Sequence, residues 1–161
     1  MSKVLIPGSF DPITLGHIDI IKKCSKSFDK VIVMVGYNEN KKEFLSAEKR
    51  VMYALDALKD LQNVDVVSYP GFVIDFAYDN KIDFIVKGIR NNEDFEYESQ
   101  MASVNYTLSL EKYGRGIETF FINSSPEYRY TSSTLVRQLM ELKLPFDKYA
   151  HNPKLLNEIT R

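Results

Sequence analysis

The sequence predicts an α/β chain built on one doubly wound parallel sheet of five strands. Three observations predict it: short β-branched runs, helical apolar spacings between them, and Gly, Pro or Asn at their borders. Bare apolar runs suit strands covered on both faces, and strands alternating with helices imply parallel pairing through right-handed crossovers.

The first strand spans residues 4–6 and runs into Pro7 and Gly8. Ile18, Ile21 and Phe28 then recur at spacings of three and seven, which predicts a helix. The second strand covers residues 31–35, and Val51, Leu55 and Leu58 mark the helix behind it. A third strand at 64–67 and a fourth at 84–86 follow, then a long helical pattern through Tyr97, Met101, Val104 and Leu108. Residues 112–116 read as a helix exit and turn before the fifth strand at 119–122. Leu135, Leu139 and Leu142 form the next helical set, and Leu144-Pro145 with Asn152-Pro153 punctuates a final helical segment from about residue 145.

At 161 residues the chain is expected to form a single domain over 1–161, because chains usually divide only beyond ~250 residues. A 44% hydrophobic content supplies a core without staples. Twenty-one Lys plus Arg against 22 Asp plus Glu leave a net charge of -1, so no global field favours nucleic acid or an anionic membrane. Any anion site is local. The lone cysteine, Cys24, excludes an internal disulfide and every multi-cysteine metal site, which points to a reducing compartment and the cytoplasm. No apolar run reaches the ~18 residues of a membrane span. There is no G-x-x-x-x-G-K-[ST] loop, Gly114-Arg115-Gly116 precedes a strand instead of following one, and two histidines make a multi-histidine metal centre improbable.

In such a sheet, ligands lie outside the carboxyl ends of the strands. The loops that leave those ends are residues 7–17, 36–44, 68–72, 87–94 and 123–133. The first carries Gly8-Ser9-Phe10-Asp11-Pro12 and Thr14-Leu15-Gly16-His17. Glycines that admit close backbone approach, ahead of a helix N-terminus with free N–H groups, make an anion site. The same residues could equally form a tight turn with a surface histidine.

This segment resembles the T-x-G-H and H-x-G-H signature of a nucleotidyltransferase superfamily, and Tyr130-Thr131-Ser132-Ser133-Thr134 resembles its late Ser/Thr-rich turn. Ser and Thr also cap helices without any ligand. Lys87-Gly88-Ile89-Arg90 and Asp94-Phe95-Glu96-Tyr97-Glu98 narrow the resemblance to the bacterial phosphopantetheine adenylyltransferase family, over residues 4–136. The resemblance implies a Rossmann-like nucleotidyltransferase fold. It also implies transfer of AMP from ATP to 4'-phosphopantetheine, giving 3'-dephospho-CoA and pyrophosphate in coenzyme A synthesis.

Carried over by position, Ser9 and Phe10 match the loop touching ATP, with Ser9 also near the acceptor phosphate. His17 matches the histidine on the α-phosphate, Lys41 the lysine that reaches both reacting phosphates, and Val73 the lining of the pantetheine arm. Gly88, Ile89 and Arg90 match the segment holding adenosine and triphosphate, and Glu98 a ribose-side contact. Tyr128, Arg129, Tyr130, Thr131, Ser132, Ser133 and Thr134 match the late nucleotide loop. Lys87 stands at the acceptor-phosphate position where Arg is commoner; it keeps the charge and loses the planar fork. His17, Lys41 and Arg90 are the candidate catalytic residues. The implied cofactor is Mg2+, carried chiefly by substrate phosphates and water with no protein ligand assigned, and the implied assembly is a homohexamer. Two other readings stay open: another transferase of the superfamily, or a non-enzymatic module that binds ATP.

Overall fold

A computed structural model describes residues 1–161. The elements run β1 (Lys3–Gly8), α1 (Leu15–Ser27), β2 (Lys30–Gly36), α2 (Ala47–Leu58), β3 (Val64–Tyr69), α3 (Val73–Asp79), β4 (Phe84–Ile89), α4 (Asn92–Tyr113), β5 (Glu118–Asn123), a short 3-10 turn (Pro126–Tyr128), α5 (Ser133–Glu141) and α6 (Pro153–Ile159).

All pairings in the five-stranded sheet are parallel and its order is β3-β2-β1-β4-β5, as the alternating pattern predicts. The winding direction reverses at β1, which pairs with both β2 and β4. Pairing of β1 with β4 stops at Leu5 and Ile85, so the carboxyl ends of these two strands part into a crevice, the place where this class of sheet binds ligands. Successive side chains along β1 feed opposite faces. Val4 and Ile6 join a core of 20 residues with α1, α2 and α5, whereas Leu5 joins a smaller core of nine with α3.

The structure departs from the sequence reading at three helices. Helix α3 is absent from that reading because seven residues make only two turns, too few for a period to show. It nonetheless buries Ile74 and Phe76, each contributing about 2 kcal/mol. Helix α2 buries Arg50, Ala54 and Leu58, a spacing of four, while Leu55 of the expected set is 50% exposed. Along α4 the expected stripe lies outside the chain's own core: Tyr97 is 61% and Val104 47% exposed, and Ser109 is the helix's only buried residue. This 22-residue helix is held by local chemistry instead: an Asn91 N-cap, Glu93 and Asp94 in the first turn, Lys112 in the last, and Gly114 at φ 71 as a left-handed C-cap. No helix is long and apolar enough to cross a membrane.

Candidate active site

The site grows from the loop between β1 and α1. Phe10 folds back over Gly8, where a Cβ would stand 3.0 Å from its ring, so any larger residue would make the ring give way. Phe10 takes a left-handed backbone (φ 46) and is buried, a conformation costing about 1 kcal/mol that its packing must offset. Thr14 then caps α1. Its hydroxyl accepts the His17 N–H at 3.4 Å while the His17 ring Nδ1 accepts the Thr14 N–H at 3.0 Å. This is a capping box with histidine in the place usually held by Glu or Gln. It explains the three-residue spacing of the Thr14-x-Gly16-His17 motif.

The cap also settles the ring's chemistry. With Nδ1 accepting a backbone N–H, the proton of a neutral imidazole resides on Nε2. Burial, then the charges of Arg90 and Lys87, lower the His17 pKa to about 4. At neutral pH His17 is therefore an uncharged donor, oriented by the cap and by an edge-on contact with Phe10 at 5.1 Å between ring centroids.

The end of β4 forms the facing wall. Gly88 packs against α1, where a Cβ would stand 2.9 Å from Ile20 Cγ1. Lys87 Nζ lies 3.4 Å from the Pro7 carbonyl and 3.5 Å from Glu98. Arg90 donates from Nε and Nη2 to the Asp94 carboxylate at 3.0 and 3.3 Å, and from Nη1 to the Thr131 carbonyl at 3.1 Å. That last bond ties β4 to the late loop. There Ser132 caps α5 through its hydroxyl, Ser133 donates to the Pro12 carbonyl at 2.8 Å and Thr134 accepts from Arg137 at 3.2 Å. The hydroxyls are thus engaged within the protein. What α5 offers a ligand is its first-turn N–H groups, at Ser133 and Thr134, which have no intrahelical acceptor.

Two cavities meet at this crevice. The smaller, about 360 Å3, is walled by Phe10, His17, Gly88, Arg90 and residues 131–134. The larger, about 920 Å3, is walled by Lys41, Lys42, Phe72, Val73 and the exposed face of α4. Ser9, Lys87 and Glu98 line both, so one partition serves the two chambers. His17 and Lys41 thus face adjoining spaces instead of opposite sides of the molecule.

Not every expected residue reaches a wall. Ile89 is buried; its carbonyl accepts the Ser124 N–H at 3.0 Å, a structural tie from β4 to the late loop. Tyr128, Arg129 and Tyr130 precede the cavity wall; Tyr130 is 80% exposed under the Arg129 guanidinium. The 3-10 segment ends at the half-buried Tyr128, and the turn after it carries Arg129 and Tyr130 outward before Thr131 turns in, buried. Glu98 faces Lys87 across the partition, in addition to any ribose-side role.

Several wall residues escaped the sequence reading. Arg137 lines the smaller cavity and donates to the Asp11 carbonyl at 2.7 Å. Asp11, read only as a turn residue, receives the N–H groups of Phe44 and Leu45 at 2.9 and 2.8 Å. Arg50 is 1% exposed although charged residues read as surface. Its place four residues before Ala54 and eight before Leu58, on the buried stripe of α2, was the available signal.

Paired chambers at the reversal point of a parallel sheet, meeting at Ser9, Lys87 and Glu98, are the arrangement of a Rossmann-like nucleotidyltransferase fold. Residues 5–139 match the cytidylyltransferase-like family. A provisionally assigned nicotinate-nucleotide adenylyltransferase from Vibrio parahaemolyticus superposes with a TM-score of 0.67 at 21% identity, covering 99% of this chain and 95% of that one. At that identity the likeness concerns the fold. Phosphopantetheine adenylyltransferases are much nearer in sequence. That of Clostridium perfringens is 47% identical over 83% of this chain and 78% of its own. That of Thermobifida fusca is 40% identical over 88% and 82%. The chain belongs to the phosphopantetheine adenylyltransferase family and is an adenylyltransferase.

Proposed function

We propose that this enzyme moves the AMP portion of ATP onto 4'-phosphopantetheine, releasing pyrophosphate and 3'-dephospho-CoA. The observation that carries the reading is the shared partition. A polar chamber sized for a nucleotide and a larger, mainly apolar chamber suited to an extended pantetheine arm meet at Ser9, Lys87 and Glu98.

An oxygen of the acceptor phosphate attacks the α-phosphorus of ATP, and the bond from that phosphorus to the bridging β-oxygen breaks as pyrophosphate leaves. The second pKa of a phosphate monoester is near 6, so the nucleophile is largely dianionic at neutral pH and needs no general base. The protein's task is to hold two anions in line and stabilise the developing charge. His17 donates Nε2–H to the α-phosphoryl oxygens. Arg90 and the first-turn N–H groups of α5 receive the triphosphate, Lys87 the acceptor phosphate, and Lys41 reaches between them.

Mg2+ supplies charge neutralisation of the triphosphate and leaving group when bound. Of the carboxylates lining the two chambers, Asp94 is engaged with Arg90, Glu98 with Lys87 and Asp11 with backbone N–H groups. No group of three or more acidic or histidine ligands stands together. That donor set fits an ion held by substrate oxygens and water better than a protein cage. Val104 and Leu110 of α4, exposed and outside both chambers, with Phe120 on edge strand β5, support a homo-oligomer, a hexamer by family resemblance.

Incubation with ATP, Mg2+ and 4'-phosphopantetheine, followed by mass analysis, should yield 3'-dephospho-CoA with stoichiometric pyrophosphate. Turnover only with a different phosphorylated acceptor would assign another transferase of the superfamily, and ATP binding without any turnover would reduce the chain to a nucleotide-binding module.

A further inference from the structure

Residues 37–46 join β2 to α2 without forming a helix or strand, and they carry Lys41 exposed and without an ion pair. A long side chain on such a segment has no fixed location of its own. Arg50 supplies one. From the interior its Nη1 donates to the Gly36 carbonyl at 3.0 Å, where the segment begins. Its Nε donates to the Leu45 carbonyl at 3.1 Å and its Nη2 to the Glu43 carboxylate at 2.6 Å, where the segment ends. Nη1 also donates to the Ser9 carbonyl at 2.8 Å, in the loop that lines both cavities.

We propose that Arg50 is a positioning residue for Lys41: one buried guanidinium pins both ends of the Lys41 segment to the Ser9 loop and so holds that ammonium over the acceptor chamber. The Asp11 carboxylate, accepting two N–H groups at Phe44 and Leu45, completes the clasp from the same loop. Simple core stability does not explain the residue. A buried ion pair is often no more stable than apolar residues of similar volume, and Ala54 and Leu58 show that this stripe otherwise takes apolar side chains. A planar fork with donors in fixed directions joins four acceptors on two loops; a lysine cannot.

The inference rests on the reading of Lys41 as a phosphate ligand, and its test separates the two. Arg50→Ala would take the donor from Glu43 and three carbonyls at once and open a cavity in the core, so Glu43→Gln and Arg50→Lys are made instead, each in the native background and in Lys41→Ala. Folding is checked by thermal melting, and kcat and KM are measured for ATP and 4'-phosphopantetheine. In the native background each variant should lose roughly 10-fold in kcat/KM for 4'-phosphopantetheine, as expected for a displaced reacting group, with the KM for ATP within about twofold of native. In Lys41→Ala the same changes should cost less than about twofold, the signature of coupled residues. Equal losses in both backgrounds, or a matching rise in the KM for ATP, would reduce Arg50 to a structural residue. Unchanged turnover in Lys41→Ala alone would overturn the reading of Lys41, and the positioning role with it.

Discussion

Replacing His17 with alanine separates what the imidazole does for the fold from what it does for the reaction. The folded state loses the bond from the Thr14 N–H to Nδ1 and the edge contact with Phe10. A capping interaction is worth about 1 kcal/mol and an aromatic pair about as much, so the variant should be destabilised by about 2 kcal/mol at pH 7. For a chain of this length that is a fall of about 4 to 8 °C in melting temperature, leaving the protein folded at 25 °C. The reaction loses a donor aimed at the α-phosphoryl oxygens, where one such bond is worth about 3 to 4 kcal/mol, or about 10² to 10³ in rate. Rapid-quench measurement of the first turnover should show that loss in the chemical step, with ATP affinity little changed. A folded variant with a near-normal chemical step would remove His17 from catalysis. The pH profile adds a second check. His17 titrates at about 4, so a limb in the rate near pH 6 belongs to the acceptor phosphate and should persist in His17→Ala.

The same depressed pKa makes a stability prediction: between pH 6.5 and about 4 the unfolded chain binds the His17 proton and the folded chain resists it, so stability should fall as pH falls through that window. The full penalty is at most about 3 kcal/mol and is reduced by solvent in the open cavity, so the denaturation gap between native protein and His17→Ala should narrow from pH 7 to pH 5; a constant gap would refute a buried, neutral ring. Lys87→Arg restores a two-pronged phosphate grip and should lower the KM for 4'-phosphopantetheine about 3- to 5-fold, whereas an unchanged KM would detach residue 87 from that phosphate. Gly88→Ala drives a methyl to 2.9 Å from Ile20 Cγ1 and should cost about 1 to 3 kcal/mol in urea unfolding, while native stability would show that α1 yields freely there.

Which features could be read from the sequence follows from the range of the forces behind them. The central strands were legible because Val4 to Ile6 and Val31 to Val35 are buried on both faces, and two-sided burial leaves an uninterrupted apolar run. His17 was legible because capping chemistry is local: Thr14 and His17 recognise each other three residues apart. Arg50 was only half legible: its spacing of four with Ala54 and Leu58 marks a buried place, but its acceptors at Ser9 and Gly36 lie 41 and 14 residues away. Helix α4 misled for a different reason. Tyr97, Met101, Val104 and Leu108 do share one side, but Phe95, Tyr106 and Leu110 stand on the other, so the helix has no single apolar face to mark a core contact. The outward course of Arg129 and Tyr130 depends on where the Arg90 bond seats Thr131, a contact spanning 41 residues.

The distribution of charge explains why a chain of net charge -1 can gather two anions. Two unit charges 4 Å apart repel by about 1 kcal/mol in water and about 4 kcal/mol at the effective dielectric of a protein surface, and a triphosphate facing a phosphate presents several such pairs. Of the three cations proposed to offset them, Lys87 and Arg90 already hold carboxylates at 3.5 and 3.0 Å. Those partners orient them on the rigid end of β4 and limit the repulsion between them, but they also dilute the charge each presents to an anion. Lys41 carries no such partner, so its full charge is available to the phosphates, and no carboxylate determines its location. A cation free of ion pairs must be placed by its backbone. On the role proposed for Arg50, the buried guanidinium beneath the segment does this in place of an acidic side chain beside it.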